Sequence, residues 1–276
     1  MLIDGRETTA LPADDRGLAY GDGLFETMRL TDGVVPLLKL HIERLTEGCR
    51  RLALTPPPAD LLVAEIDRVR AGQCDAVVKV MLTRGSGGRG YAPPAEASER
   101  RIVTCHSLPS WPAANYTHGV GVWLCATRLG RNPALAGLKH LNRLEQVLAS
   151  LETVPPGCAE GLMCDVDGAL VEGIRSNLFV VRDGVLTTPS LTDCGVAGVM
   201  RRCVLETAAT AGLPASEARL SLDDLQAADE VFLTSSVFGI WPVARLVEPD
   251  LAWPVGPRTR QLMTTLADRG LRGGPA

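Results

Sequence analysis

Residues 128–150 read RLGRNPALAGLKHLNRLEQVLAS, and the reading of Lys139 within them decides what this chain is. The spacing of apolar residues predicts an amphipathic helix with Lys139 in its first turn. The chain has three lysines, Lys39, Lys79 and Lys139, among 28 basic residues; the others are arginine. A general compositional bias accounts for many arginines, and a lysine at a helix start can simply lay its stem along the surface. Arginine, however, stays protonated and cannot form an imine, whereas a lysine amine can lose its proton and form one. Lys139 follows Gly137 at a loop-to-helix junction, where backbone can approach a ligand.

The 276 residues are comfortable for two domains. Apolar content of 46% and charged content of 22% are ordinary for a globular chain with a sizeable core. The net charge of −4 is interspersed, with no basic stripe for nucleic acid. No apolar run approaches the roughly 18–20 residues needed to span a bilayer, and the opening MLIDGRETTALPADDRG has no signal-peptide pattern. The expected location is cytoplasmic. The eight cysteines show neither CxxC nor zinc spacing and are expected to be reduced and mostly buried. The four histidines are scattered, and no metal site is expected.

GLFETMRLTDGVVPLL predicts a hairpin turning at TDG. KLHIERLTEGCRRLAL carries apolar residues at helical spacing and stops before TPPP. A second helix, PADLLVAEIDRVRAG, ends at Gly72, and strands follow in DAVVKVMLTRG and RRIVTCHSL. Residues 110–118, within PSWPAANYTHG, are the candidate linker. Beyond it lie the strand VGVWLCATRL, the segment around Lys139, hairpins turning at DVDG and RDG, helices in GVMRRCVLETAATAG and SLDDLQAADE, and a strand EVFLTSS. Meandering strands with separate helices argue for α+β in both halves. The expected organisation is a smaller N-terminal α+β domain at 1–109, a linker at 110–118, and a larger β-rich C-terminal domain at 119–276 that carries Lys139.

Glu172 in ALVEGIRSNLF sits where the segment runs into apolar sequence. A carboxylate held there needs a partner, such as a protonated pyridine nitrogen; a solvated turn residue is the simpler reading. TDCGVAGVMRRCVLE leads through two glycines into a helix start, whose N–H groups suit an anion. Thr234, Ser235 and Ser236 close a strand, where hydroxyls either satisfy their own turn or bind phosphate oxygens. Arg44 in HIERL can make a bidentate phosphate contact. TRGSGGRGY, residues 83–91, lacks the Lys-Ser/Thr of a P-loop; it is better suited to presenting Arg84, Arg89 and Tyr91 to a substrate carboxylate.

An imine-forming lysine, a carboxylate for a ring nitrogen and several anion-binding elements together describe pyridoxal phosphate. DDRGLAYGDGLFETM, HIERL, KHLNRLEQ, VEGIRSNLF and GVAGVMR occur in the order found in fold-type IV pyridoxal-phosphate enzymes, and the chain resembles that family along nearly its whole length. The family includes branched-chain and D-amino acid aminotransferases and aminodeoxychorismate lyases. TRGSGGRGY and RLGRNPALAGLKHLNRLEQVL are similar to the lyases. D-amino acid transaminases carry a tyrosine where this chain has Phe25.

The resemblance implies a two-domain fold with the cofactor at the domain interface. It also implies that Lys139 forms the imine with pyridoxal 5'-phosphate and transfers protons, while Glu172 pairs with the pyridinium. Arg44, the amides of Val199 and Met200, and the hydroxyls of Ser235 and Ser236 would hold the phosphate. Met200 replaces a threonine of the transaminases and offers only its N–H. Arg89, with Tyr91, would meet a carboxylate of aminodeoxychorismate. In the family this loop often serves the neighbouring subunit, so a homodimer is expected. The implied reaction gives 4-aminobenzoate and pyruvate for folate synthesis; an aminotransferase acting on D- or branched-chain amino acids is the alternative.

Overall fold

The computed structural model describes residues 1–271. Two compact units are present: Met1–Pro109 with Leu138–Arg143, and Ser110–Gly137 with the chain from Leu144 onward. In chain order the first unit contains β1 (Leu2–Ile3), β2 (Arg6–Glu7), α1 (Arg16–Tyr20), β3 (Gly23–Leu30), α2 (Leu38–Leu52), α3 (Ala59–Arg70), β4 (Ala76–Thr83) and β5 (Arg100–His106). The strands form one antiparallel sheet in the order β2-β1-β5-β4-β3.

Side chains alternate across a sheet. Leu24 and Met28 of β3, with Val78 and Val80 of β4, pack against Leu45 and Cys49 of α2 and Leu62 and Ile66 of α3. α2 ends where Ala53 turns left-handed, at φ 50°, just before the three prolines. The hairpin expected at TDG is only a tight turn. Asp32 and Gly33 have positive φ, Thr31 and Val34 exchange two main-chain hydrogen bonds, and no second strand follows. Pro36 and the early start of α2 leave no room for one, and β3 pairs along its whole length with β4.

The second unit contains α4 (Ala114–Thr117), β6 (Val120–Leu124), α5 (Leu144–Ser150), β7 (Cys158–Cys164), β8 (Leu170–Gly173), β9 (Asn177–Arg182), β10 (Val185–Pro189), α6 (Val199–Thr210), β11 (Ala215–Ala218), α7 (Leu222–Gln226), β12 (Glu230–Ser235), β13 (Gly239–Leu246), β14 (Leu251–Ala252) and α8 (Pro257–Asp268). The main path runs β11-β10-β9-β12-β13-β6-β7-β8, and β8 also pairs with β9, closing the path on itself. Asp183 and Gly184, both at positive φ, form the expected β9–β10 turn. Gly168 turns β7 into β8.

The core centres on Trp241. Phe238 stacks on it at 4.0 Å between ring centres, and Trp111 and Tyr116 meet it edge-on. The segment read as a linker therefore supplies α4 and a buried tyrosine to this core. Both units are α+β, as expected. Among the described residues, no helix is long and apolar enough to cross a membrane.

Trp241 is fully buried. Trp241→Ala is expected to destabilise the chain by about 3–5 kcal/mol, measured as a lowered urea midpoint; a loss below about 1 kcal/mol would contradict this packing.

Candidate active site

Lys139 does not lie in a helix. The Phe25 N–H donates to the Lys139 carbonyl at 2.9 Å, and the Leu141 N–H donates to the Gly23 carbonyl at 3.0 Å, so residues 139–141 run extended along β3. α5 begins five positions after Lys139, at Leu144. The Lys139 ammonium stands 4.4 Å from the centre of the Phe25 ring. The Lys79 ammonium stands 5.1 Å from the same ring. Lys79, on β4, thus shares the aromatic contact of Lys139. The third lysine, Lys39, is exposed and pairs loosely with Glu43.

Next to Phe25, on the opposite face of β3, Glu26 is 2% exposed. Arg44 of α2 donates from Nε to Glu26 Oε1 at 2.8 Å and from Nη2 to Oε2 at 2.5 Å. His41, one turn earlier on the same helix face, meets Oε2 through Nδ1 at 2.6 Å. Burial works to raise the Glu26 carboxyl, but Arg44 and His41 outweigh it and hold the group at about 2. An ionised carboxylate can only accept, so Nδ1 of His41 carries the proton. Burial, opposed by Glu26 and aided by the cations Arg44 and Lys139, lowers the His41 pKa.

In the second unit, Glu172 on β8 is 4% exposed. Its Oε2 accepts the Val196 N–H at 2.8 Å, and Oε1 accepts Nε2 of Gln146 from α5 at 3.3 Å. Asn177, opposite Glu172 across β8 and β9, donates to the Val196 carbonyl at 2.8 Å. Two residues further on, Gly198 is the N-cap of α6, with no side chain capping that helix. Val199 and Met200, both buried, form its first turn. A Cβ at Gly198 would stand 1.9 Å from Asn177 Oδ1, so only glycine fits.

Thr234 lies across from Asn177 in β12, and its buried hydroxyl has no hydrogen-bond partner among the described residues. The Ser235 hydroxyl accepts the Val237 N–H at 3.3 Å, and Ser236 follows it at the strand end, partly exposed. Arg89 and Tyr91 stand on an exposed loop. Among the described residues no cluster suits a metal ion.

The structure thus joins Glu172 to the start of α6 through Val196, and puts the ring that Lys139 faces and the partner of Arg44 on adjacent residues of β3. Glu26, His41, Lys79 and Gln146 escaped the reading of the sequence, which singles out Thr234 with the two serines. Only Glu26 left a signal there: an acid in phase with the inward residues Leu24 and Met28.

Residues 23–246 match the amino-transferase class IV family, and the chain belongs to it. It is 35% identical to the aminodeoxychorismate lyase of Vibrio harveyi, over 96% of this chain and 98% of that protein. The crystal structure of 4-amino-4-deoxychorismate lyase from Pseudomonas aeruginosa superposes with a TM-score of 0.92 at 51% identity, covering 97% of this chain and 98% of that one. The Escherichia coli branched-chain amino acid aminotransferase structure matches at a TM-score of 0.85 and 26% identity, covering 98% and 93%.

The Glu26 carboxyl is depressed in the folded state, so the stability it contributes is complete above its ordinary range near 4.5 and is lost as pH falls toward 2. Glu26→Gln is expected to cost roughly 3–5 kcal/mol at pH 7, because Arg44 keeps its buried charge without the carboxylate. Thermal melts should show a smaller gap between variant and wild type as the pH falls through that window. A gap independent of pH would refute the assignment.

Proposed function

We propose that this chain is a pyridoxal 5'-phosphate-dependent carbon–oxygen lyase that converts 4-amino-4-deoxychorismate to 4-aminobenzoate and pyruvate. The observation that carries the reading is the end-to-end match to a lyase of that name at 51% identity. The residues present suit the cofactor. Lys139 offers an amine beside an aromatic ring. Glu172 offers a buried carboxylate oriented by Val196 and Gln146. Among the described residues the start of α6 has no side-chain cap, and a buried hydroxyl without a partner, that of Thr234, stands across from the asparagine beside that helix start.

Arg44, the Val199 and Met200 amides and the Ser235 and Ser236 hydroxyls hold the phosphate, and Glu26 and His41 fix the direction of the Arg44 fork. Glu172 keeps the pyridine nitrogen protonated. When bound, the cofactor supplies a conjugated ring that takes up the electron pair left by the departing proton. Lys139 removes that proton from the substrate carbon bearing the amine. The bond from the ring to the ether oxygen then breaks, the six-membered ring becomes aromatic, and the departing enolpyruvate takes up a proton to become pyruvate. Nothing is oxidised or reduced overall, so no keto-acid acceptor is consumed. Arg89, with Tyr91, meets a substrate carboxylate.

The partner is a second copy of the chain. Leu144, Val147, Leu148 and Leu151 recur at helical spacing on α5 and just beyond it, and with Val154 they remain exposed. An apolar stripe of this kind marks an association surface. All eight cysteines are free, which suits the reducing cytoplasm, where the product enters folate synthesis.

Purified protein loaded with pyridoxal phosphate is expected to form 4-aminobenzoate and pyruvate from aminodeoxychorismate without added keto acid. Lys139→Ala should abolish product formation and the borohydride-reducible linkage to the cofactor. Strict dependence on a keto acid would assign an aminotransferase instead. Leu148→Glu with Leu151→Glu is expected to halve the mass seen in sedimentation; an unchanged mass would place the association surface elsewhere.

A further inference from the structure

The loop that carries Arg89 and Tyr91 is wound around one buried side chain. Arg16, the first residue of α1, is 4% exposed. Its Nη2 donates to the Tyr91 carbonyl at 2.9 Å, and its Nη1 points at the carbonyls of Gly90, Ala92 and Gly87 at 3.1, 3.3 and 3.5 Å. Its Nε donates to Asp22 at 2.9 Å, and its main-chain N–H donates to the Gly85 carbonyl at 2.9 Å. Asp22 also accepts Nε of Arg84 at 2.8 Å, and the two Nη atoms of Arg84 donate to the carbonyls of Leu52 and Ala53 at the end of α2. Both ends of the loop are therefore tied to one carboxylate. Gly85, Gly87, Gly88 and Gly90 all have positive φ; that backbone folds the carbonyls inward onto the guanidinium.

The arrangement does little for the core. The Tyr91 side chain is 88% exposed, its ring 5.4 Å from that of Tyr20. A guanidinium offers five donors in a fixed plane, which neither lysine nor glutamine can reproduce. A buried charge spent on ordering an exposed loop points to what that loop presents.

We infer that Arg16 is a positioning residue for substrate binding: by collecting the carbonyls of Gly87, Gly90, Tyr91 and Ala92, it sets the directions in which Arg89 and Tyr91 face a carboxylate of the substrate. This rests on the proposed role of the loop in meeting aminodeoxychorismate. Order fixed before binding is not lost on binding, so the effect falls on affinity.

The test compares the holoenzyme with Arg16→Lys and with Gly88→Ala. The second change enters the same cup from the loop side, since a Cβ at Gly88 would stand 2.4 Å from the Ala92 carbonyl oxygen and 3.1 Å from Arg16 Nη1. Amide hydrogen exchange across residues 84–92 is expected to accelerate about tenfold or more in both variants, with little change in the remaining chain. KM for aminodeoxychorismate is expected to rise roughly tenfold while kcat stays within about twofold and the visible band of the cofactor is unchanged. Combining Arg16→Lys with Arg89→Ala should raise KM little beyond Arg89→Ala alone.

Unchanged exchange at 84–92 in both variants overturns the clamp whatever reaction the enzyme runs. Accelerated exchange with unchanged KM overturns its role in substrate binding, and so does a fall in kcat with KM unchanged. Should Arg16→Lys fail to fold, Gly88→Ala decides by the same readouts. A wild-type enzyme that forms no 4-aminobenzoate refutes the reaction and, with it, the substrate-binding half of the inference; the exchange experiment still decides the clamp.

Discussion

The main-chain pairing of residues 139–141 with β3 is the constraint on which the first half of the site depends. β3 is an edge strand of its sheet, and an edge presents unpaired N–H and C=O groups. Phe25 gives its N–H to the Lys139 carbonyl, and Gly23 takes the Leu141 N–H. A helix through 138–143 would turn those main-chain groups toward its own ladder and leave β3 without a partner there. Helix formation therefore waits until Leu144, and the lysine is delivered on an extended backbone whose position is set by hydrogen bonds rather than by its own rotamers. The amine then comes to rest on the Phe25 ring.

Phe25 and Glu26 are consecutive residues with opposite duties. Alternation along the strand puts Phe25 on the face of the two lysines and Glu26 on the face of α2. A carboxylate on that second face needs a cation, and Arg44 and His41 come from one turn of α2. An apolar pair of similar volume would stabilise this position at least as well. A core that accepts the charge instead holds an arginine fork in one direction. One dipeptide thus couples the lysine to the arginine: a shift of β3 along its own axis would move both.

Period-two strands, the RDG and DVDG turns and the helix stops at TPPP and Gly72 are local features, so the sequence declares them. Lys139, Glu172 and the start of α6 stood out in the sequence for a related reason, since few residue types could form an imine, pair with a pyridinium or present bare amides. The failures lie where a distant segment outvotes local pattern. Apolar spacing around Lys139 suits a helix, and nothing within that segment reveals the waiting edge of β3. The TDG turn forms, yet β3 finds its partner some fifty positions later, in β4. Lys79 looks like any strand lysine until the sheet sets it against Phe25.

In the second unit a single loop carries the corresponding load. The Gly137 carbonyl accepts the Ala197 N–H, and the Gly195 carbonyl accepts the Gly137 N–H, so residues 195–197 are held on both sides. Between those two bonds the Val196 N–H orients Glu172 and the Val196 carbonyl takes the Asn177 amide. Asn177 in turn fills the space that any side chain at position 198 would need. The carboxylate and the start of α6 are therefore not two features adjusted separately. Their spacing is the length of one loop with its hydrogen bonds satisfied. A larger residue at 198 would have to displace Asn177, and with it the carbonyl of the residue whose N–H holds Glu172. The glycine that leaves the helix start bare is also the glycine that keeps the carboxylate in register with it.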